Sequence, residues 1–299
     1  MHTRKEKLEA FGRLLDVQYR LRKDCPWDRK QTFESLRPYT IEEVFELANA
    51  LACGNLEEVK KELGDVMEHV IFYSMLGEEE GRFDVADVCD TQSDKLMFRH
   101  DFIDWGPDTT MKGCPVWSVS SSELVINACG QVVYADEQCD DAAHPTTASQ
   151  VESTWEKRKQ KERHGNKSVL SGVPASLPSM IKAYRIQDKA RNVGFDWEKK
   201  EDVWAKVREE LDEFETELRK EDAEKSTREL GDFLFSIINA ARLYHLNPDN
   251  ALESTNQKFI SRFGYVERKV KETGKSMADM SLEELDALWD EAKDKETNK

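Results

Sequence analysis

The chain has 299 residues, and its 60 Asp and Glu outweigh 44 Lys and Arg to give a formal charge of −16. That balance excludes a general nucleic-acid or anionic-membrane binder, since both partners are polyanions. No stretch nears the roughly 20 apolar residues of a spanning helix, residues 1–7 lack a signal-peptide core, and the six Cys lie singly without a CxxC pair, so a cytoplasmic protein with neither zinc ribbon nor disulfide framework is expected.

High charge with only 14 Gly and 8 Pro favours helix. Phe11, Leu14, Leu15, Gln18 and Leu21 mark one face of a first helix ending near Asp24. Thr40, with Glu43 three residues on, reads as the capping box of a second helix. Its apolar stripe is Ile41, Val44, Phe45, Ala48 and Leu51. Gly54-Asn55 stops that helix, and a third runs from about Leu56 to Glu80 with Leu63, Val66, Val70 and Tyr73 inward. Gly81 ends it, and Asp84 opens a fourth to about Arg99. The stretch 101–150 breaks the pattern: it is acidic, rich in Ser and Thr, and holds three of the six Cys. It reads as an irregular insert or linker, with short strands at Val116–Val119, Glu123–Ile126 and Gln131–Tyr134. Helices resume near 151–164, 176–191, 198–220, 222–246, 248–271 and 281–294.

Self-comparison finds a repeat. Glu42-Glu43-Val44-Phe45-Glu46 recurs as Glu209-Glu210-Leu211-Asp212-Glu213, and Glu62-Leu63-Gly64-Asp65 recurs as Glu229-Leu230-Gly231-Asp232. Both pairs share one offset of 167 residues. Downstream, Lys95 and Arg99 are echoed by Lys258 and Arg262; upstream, Tyr19-Arg20-Leu21 by Tyr184-Arg185-Ile186. The expected organisation is a first module at 1–100, an atypical segment at 101–150 and a second module at 151–299, all-α apart from the segment.

Carboxylates three apart share a helix face, and a short connection lets two such helices lie antiparallel, bringing four carboxylates to one level. Uncompensated, each pair at about 4 Å repels by roughly 1 kcal/mol in water and about 4 at an effective dielectric of 20. A hard cation resolves that conflict, and an all-oxygen set suits Mg²⁺, or Mn²⁺, better than zinc. Glu at this spacing is ordinarily a solvated face; the same quartet twice, with identical internal spacing, favours the metal. Lys258 and Arg262, one turn apart, suit phosphate oxygens.

These residues resemble the MazG family of nucleoside triphosphate pyrophosphohydrolases. The E-x-x-E, gap, E-x-x-D pattern fits both copies. Cys25-Pro26-Trp27-Asp28, Gln31-Thr32 and Pro38-Tyr39-Thr40 are similar to the family's N-terminal signature, and Asn192-Val193-Gly194-Phe195-Asp196-Trp197 to its second. The resemblance implies a tandem of antiparallel helix bundles, a homodimer, and Mg²⁺-dependent cleavage of nucleoside triphosphates to monophosphate and pyrophosphate, in the clearance of aberrant or surplus nucleotides. It implies metal ligands at Glu210, Glu213, Glu229 and Asp232, with counterparts Glu43, Glu46, Glu62 and Asp65. Lys258 and Arg262 would lie near the phosphates, assisted by Arg185 and Lys189, with Trp289 against the base. The catalytic group would come from Glu209, Glu210 and Glu213, and which one is the base stays open.

After Arg99-His100 the family pattern is lost at Asp101 and returns at Trp155-Glu156. Catalysis is therefore expected mainly in the second module, with the first a structural or regulatory metal site. Cys114, Cys129, Cys139 and His144 are too irregularly spaced for zinc. His69, four after Asp65, suggests a di-iron bundle, but Ser236 stands at the equivalent position. Gly165-Asn166-Lys167-Ser168 lacks the first glycine of a P-loop. The rival reading is a non-catalytic nucleotide or metal-binding regulator on the same fold.

Overall fold

The computed structural model describes residues 1–106, 117–137, 145–162, 168–274 and 276–297. Cys114, Cys139, His144, Val116 and Gly165–Lys167, all weighed above, lie outside the described residues. The chain divides into two compact units, Met1–Gly165 and Asn166–Lys299.

The first unit contains α1 (Arg4–Asp24), α2 (Phe33–Cys53), α3 (Leu56–Glu79), α4 (Val85–Arg99) and α5 (Ala148–Lys161). Helix α2 starts a full two turns before the expected Thr40. Thr32 caps it, accepting the Ser35 N–H while the Ser35 hydroxyl accepts the Thr32 N–H at 2.8 Å. Pro38 lies inside the helix, where it removes the bond its N–H would make to the Glu34 carbonyl and crowds that turn, yet α2 runs through it. Thr40 instead donates to the Leu36 carbonyl or meets Tyr73. Gly54, at φ 68°, ends α2 in the left-handed region that favours glycine, and Asn55 caps α3. Asp84 caps α4 as expected.

The apolar stripes are only half inward. Leu36, Phe72 and Leu76 form the core between α2 and α3, with Phe33 and Tyr73 against them. Ile41, Val44, Phe45, Leu51, Leu63 and Val70 stay exposed in the single chain. Periodicity says which face avoids water; it does not say what covers that face.

The described residues after Arg99 include folded structure. An antiparallel hairpin of β1 (Leu124–Ile126) and β2 (Val132–Tyr134) packs on α4, where Met97, Phe98, Val132 and Tyr134 make a second small core with Trp105 and Trp117. Residues 117–119, expected as a strand, carry no regular structure. The buried Asp94 carboxylate accepts the backbone N–H groups of Ser120 and Ser121. Gly130, at φ 74°, turns the hairpin against Asp104, where a Cβ would collide with the Asp104 carboxylate. Cys129 is disulfide-bonded, against the expectation of unpaired Cys, whereas Cys25, Cys53 and Cys89 are free.

The second unit contains α6 (Ser179–Asn192), α7 (Val203–Arg219), α8 (Ala223–Leu243), α9 (Pro248–Glu272) and α10 (Leu282–Thr297). Val203, Val207 and Ala240 form its core with Phe233 and Leu243. Arg242, buried, holds Asp196 through both oxygens at 2.5 and 3.1 Å and fixes the Phe195-Asp196-Trp197 turn to α8.

The two units share one helix order. In each, the third helix packs against the first, second and fourth, and the fourth against the fifth. Helix α5 was grouped with the second module by sequence; it packs on α4 inside the first unit. Its sequence Trp155-Glu156-x-x-Lys159-x-Lys161-Glu162 matches Trp289-Asp290-x-x-Lys293-x-Lys295-Glu296 of α10. The insert therefore sits between the fourth and fifth helices of the first module, where α9 and α10 are joined by the short link 273–281.

Candidate metal and nucleotide site

The Gly54-Asn55 turn folds α3 back along α2, and Glu221-Asp222 does the same for α8 along α7. Glu43, Glu62 and Asp65 each then offer a carboxylate oxygen within 4.8 Å of the others, and Glu210, Glu229 and Asp232 repeat the arrangement. Three members of each expected quartet are thus brought together. Glu46 and Glu213 stand one turn away, exposed. Glu46 lines an open groove of about 520 Å³ with Glu42, Phe45, Asn49 and Glu62; Glu213 lines one of about 360 Å³ with Asp212, Thr216, Glu217 and Glu229.

The electrostatics follow from crowding. Desolvation, then the charges of Asp65, Glu46, Glu62 and Glu42, push the Glu43 carboxyl above its ordinary value. Desolvation, then Glu213, Asp232, Glu210 and Glu217, do the same to Glu229. Such shifts mark groups that hold a proton more tightly for want of a countercharge. Each trio has one lysine beside it. Lys61 meets Glu62 at 2.9 Å, and Lys206 meets Glu210 at 2.7 Å and Glu209 at 3.0 Å. Bonds to Glu210 and Glu209 raise the Lys206 ammonium's pKa. Glu62 is 3% exposed, and its Oε2 has no hydrogen-bond partner. A buried carboxylate oxygen left unpaired beside two other carboxylates fits a divalent cation ligated by hard oxygen.

The other expected residues divide. Lys258 is exposed on α9, one turn before Arg262. Arg262 lies over the Trp289 ring at 6.0 Å, and Phe259 packs on that ring at 5.0 Å. Arg185 bonds Asp188 on its own helix at 3.0 Å, and Lys189 is buried. Glu209 faces Lys206 and is outside the trio. Lys206 escaped the sequence reading, although its three- and four-residue spacing to Glu209 and Glu210 was the available signal.

Over 296 residues the chain is 36% identical to the protein named nucleoside triphosphate pyrophosphohydrolase of Escherichia coli K12, covering 97% of this chain and 99% of that one. The chain belongs to the MazG nucleotide pyrophosphohydrolase family. The family model matches residues 31–103 and 198–266, and each window contains one acidic quartet. A Thermotoga maritima relative, named nucleoside triphosphate pyrophosphohydrolase/pyrophosphatase MazG, is 32% identical over 97% of this chain and 98% of its own length. The Bacillus subtilis protein YabN is 38% identical over 91% of this chain and 49% of its own length. The MazG assignment makes the chain a hydrolase of nucleotide phosphoanhydrides on an all-α tandem fold. Among the described residues no helix is long and apolar enough to cross a membrane.

Proposed function

We propose that this MazG protein cleaves nucleoside triphosphates to nucleoside monophosphate and pyrophosphate, with Mg²⁺, or Mn²⁺, held by Glu210, Glu213, Glu229 and Asp232. The observation that carries this reading is the carboxylate trio within 4.8 Å, built once on α2–α3 and again on α7–α8. A bound divalent ion supplies neutralisation of phosphate charge and an acidified water. Lys258 and Arg262 hold the phosphate oxygens, and Trp289 meets the base. Glu209, beside the trio rather than in it, is the residue we assign to accept the proton of the attacking water. Lys206 orients Glu209 and Glu210. Arg185 and Lys189 support the helix that carries the Phe195-Asp196-Trp197 turn. Clearance of surplus or aberrant nucleotides in the cytoplasm is the role we assign.

We also read the chain as a homodimer. Leu230, Leu234, Phe235 and Ile237 of α8, with Val44, Phe45, Leu63 and Met67 of α2 and α3, are exposed apolar side chains on the helices that carry the trios, the kind of surface that marks an interaction site. A second copy is the occupant that covers both equally.

Product analysis tests the reading. A panel of NTPs and dNTPs is incubated with the full chain in Mg²⁺ and in EDTA. Metal-dependent monophosphate plus pyrophosphate is the expected result. Diphosphate plus phosphate, or turnover unaffected by EDTA and by Asp232→Ala, overturns it.

A further inference from the structure

Helix α9 carries two stripes side by side. Lys258 and Arg262 lie four apart on one face, and Phe259 and Phe263 lie four apart on the neighbouring one. A phenylalanine ordinarily supports a fold by taking its ring out of water. Phe259 does little of that: it is 57% exposed, and Phe263 beside it is 40% exposed. The two rings are stacked, with centres 6.0 Å apart and planes 10° from parallel. Phe259 also reaches across to α10, where its ring centre lies 5.0 Å from that of Trp289 and the planes are tilted by 53°. Trp289 is half-buried. Three aromatic rings thus form one partly open surface, and Lys258, the residue before Phe259, puts the phosphate grip on the same turn of α9.

A base that stacks on Trp289 alone gains much the same from every nucleotide, because each base has a π-face. Discrimination by size needs a second surface beside the indole. Phe259 supplies it. A base lying parallel to Trp289 is inclined by 53° to the Phe259 ring, nearer the edge-to-face arrangement that aromatic pairs favour than a flat sandwich. The fused second ring of a purine reaches past the indole, whereas the single ring of a pyrimidine is covered by the indole alone. Covering Phe259 also removes its exposed apolar surface from water.

We infer that Phe259 is a specificity-determining residue: it extends the base platform beyond Trp289 and gives purine nucleoside triphosphates an advantage over pyrimidine ones. Phe263 stacks on it and holds its ring in place. This inference rests on the proposed reading of Trp289 as the residue that meets the base.

Turnover of ATP, GTP, CTP and UTP by the full chain in Mg²⁺ tests it, with calorimetry of α,β-methylene ATP and α,β-methylene UTP to read binding alone. The wild-type kcat/KM should favour ATP and GTP. Phe259→Leu keeps an apolar side chain at an exposed helix position, so the fold should survive. It should cost the purines about three- to tenfold, the worth of one aromatic pair, and the pyrimidines less than about twofold. The loss should fall in KM and in affinity for the ATP analogue. Phe259→Tyr, which restores a ring, should recover the purine advantage, and Trp289→Ala should weaken all four substrates. A wild-type chain with no purine advantage overturns the inference and leaves the Trp289 reading standing. So does a Phe259→Leu chain that loses all four substrates equally, or loses kcat alone. A Phe259→Leu chain whose mass changes in sedimentation assigns the ring to an interface between copies and overturns it too. If Trp289→Ala keeps its helical circular dichroism and handles all four substrates as the wild type does, the Trp289 reading falls and takes the inference with it. No turnover of any substrate removes the proposed function itself.

Discussion

Replacing Glu62 by Gln should stabilise the metal-free protein, the reverse of what a buried-site substitution ordinarily does. Glu62 is 3% exposed and stands within 4.8 Å of Glu43 and Asp65. At 4.8 Å, two like charges repel by about 0.9 kcal/mol in water and about 3.5 at an effective dielectric of 20. The amide removes two of the three repulsions and turns an acceptor into a donor toward the remaining carboxylates. Against this stands the loss of the Lys61 pair, which is well exposed on the lysine side and contributes at most about 1 kcal/mol. The net is a gain of roughly 1–3 kcal/mol without metal. Urea unfolding in EDTA and in millimolar Mn²⁺ reads it. The midpoint in EDTA should rise, and the part of the Mn²⁺ stabilisation due to the first module should vanish. A variant less stable than wild type in EDTA, with an unaltered Mn²⁺ response, would refute the repulsion argument and the cation site together.

The raised carboxyls of Glu43 and Glu229 give a pH dependence. The folded state binds their protons more tightly than the unfolded chain, so their contribution is present below the ordinary carboxylate value and lost as pH rises through the raised values. Mg²⁺ should therefore raise the melting temperature more at about pH 7 than at about pH 5, measured by thermal scans with and without EDTA. Glu79 and Asp196, lowered by Arg22 and Arg242, act in the opposite sense below the ordinary carboxylate range. Arg242→Met should cost about 1.5–3 kcal/mol, because it removes the charged hydrogen bonds that tie Asp196 to α8. Fluorescence of Trp204, whose indole N–H donates to Tyr244 beside this turn, should report the loss in urea unfolding. Asp94→Ala should remove the acceptor of the Ser120 and Ser121 N–H groups at about 1–3 kcal/mol in all, and limited proteolysis should then cut the hairpin segment while α4 persists.

Much of the molecule was legible in the sequence because the information is local. The Gly54-Asn55 stop and the Asp84 cap depend on neighbours within one or two turns, and the structure places them as read. Three members of each expected acidic quartet meet, and duplication had written them twice at one spacing. The misreadings concern competition and partners. Thr40 carried a cap signature, but Thr32 and Ser35 carried another, and the helix starts at the earlier one. Asp101 marked the loss of pattern, yet the hydrophobic residues that close the insert on α4 lie up to about three dozen residues apart, and no periodicity links them. The kinship of α5 with α10 was present in the letters around Trp155 and Trp289, hidden by an insert that breaks the constant offset.

What the sequence by itself determined is therefore the helices, the duplication and the chemistry of the carboxylates, all set by residue type and short-range spacing. Only tertiary structure decided which carboxylates meet, which lysine stands beside them, and that Arg99 is bound by Glu162. Those facts depend on where distant helices pack, and packing is settled by the whole core rather than by any one segment.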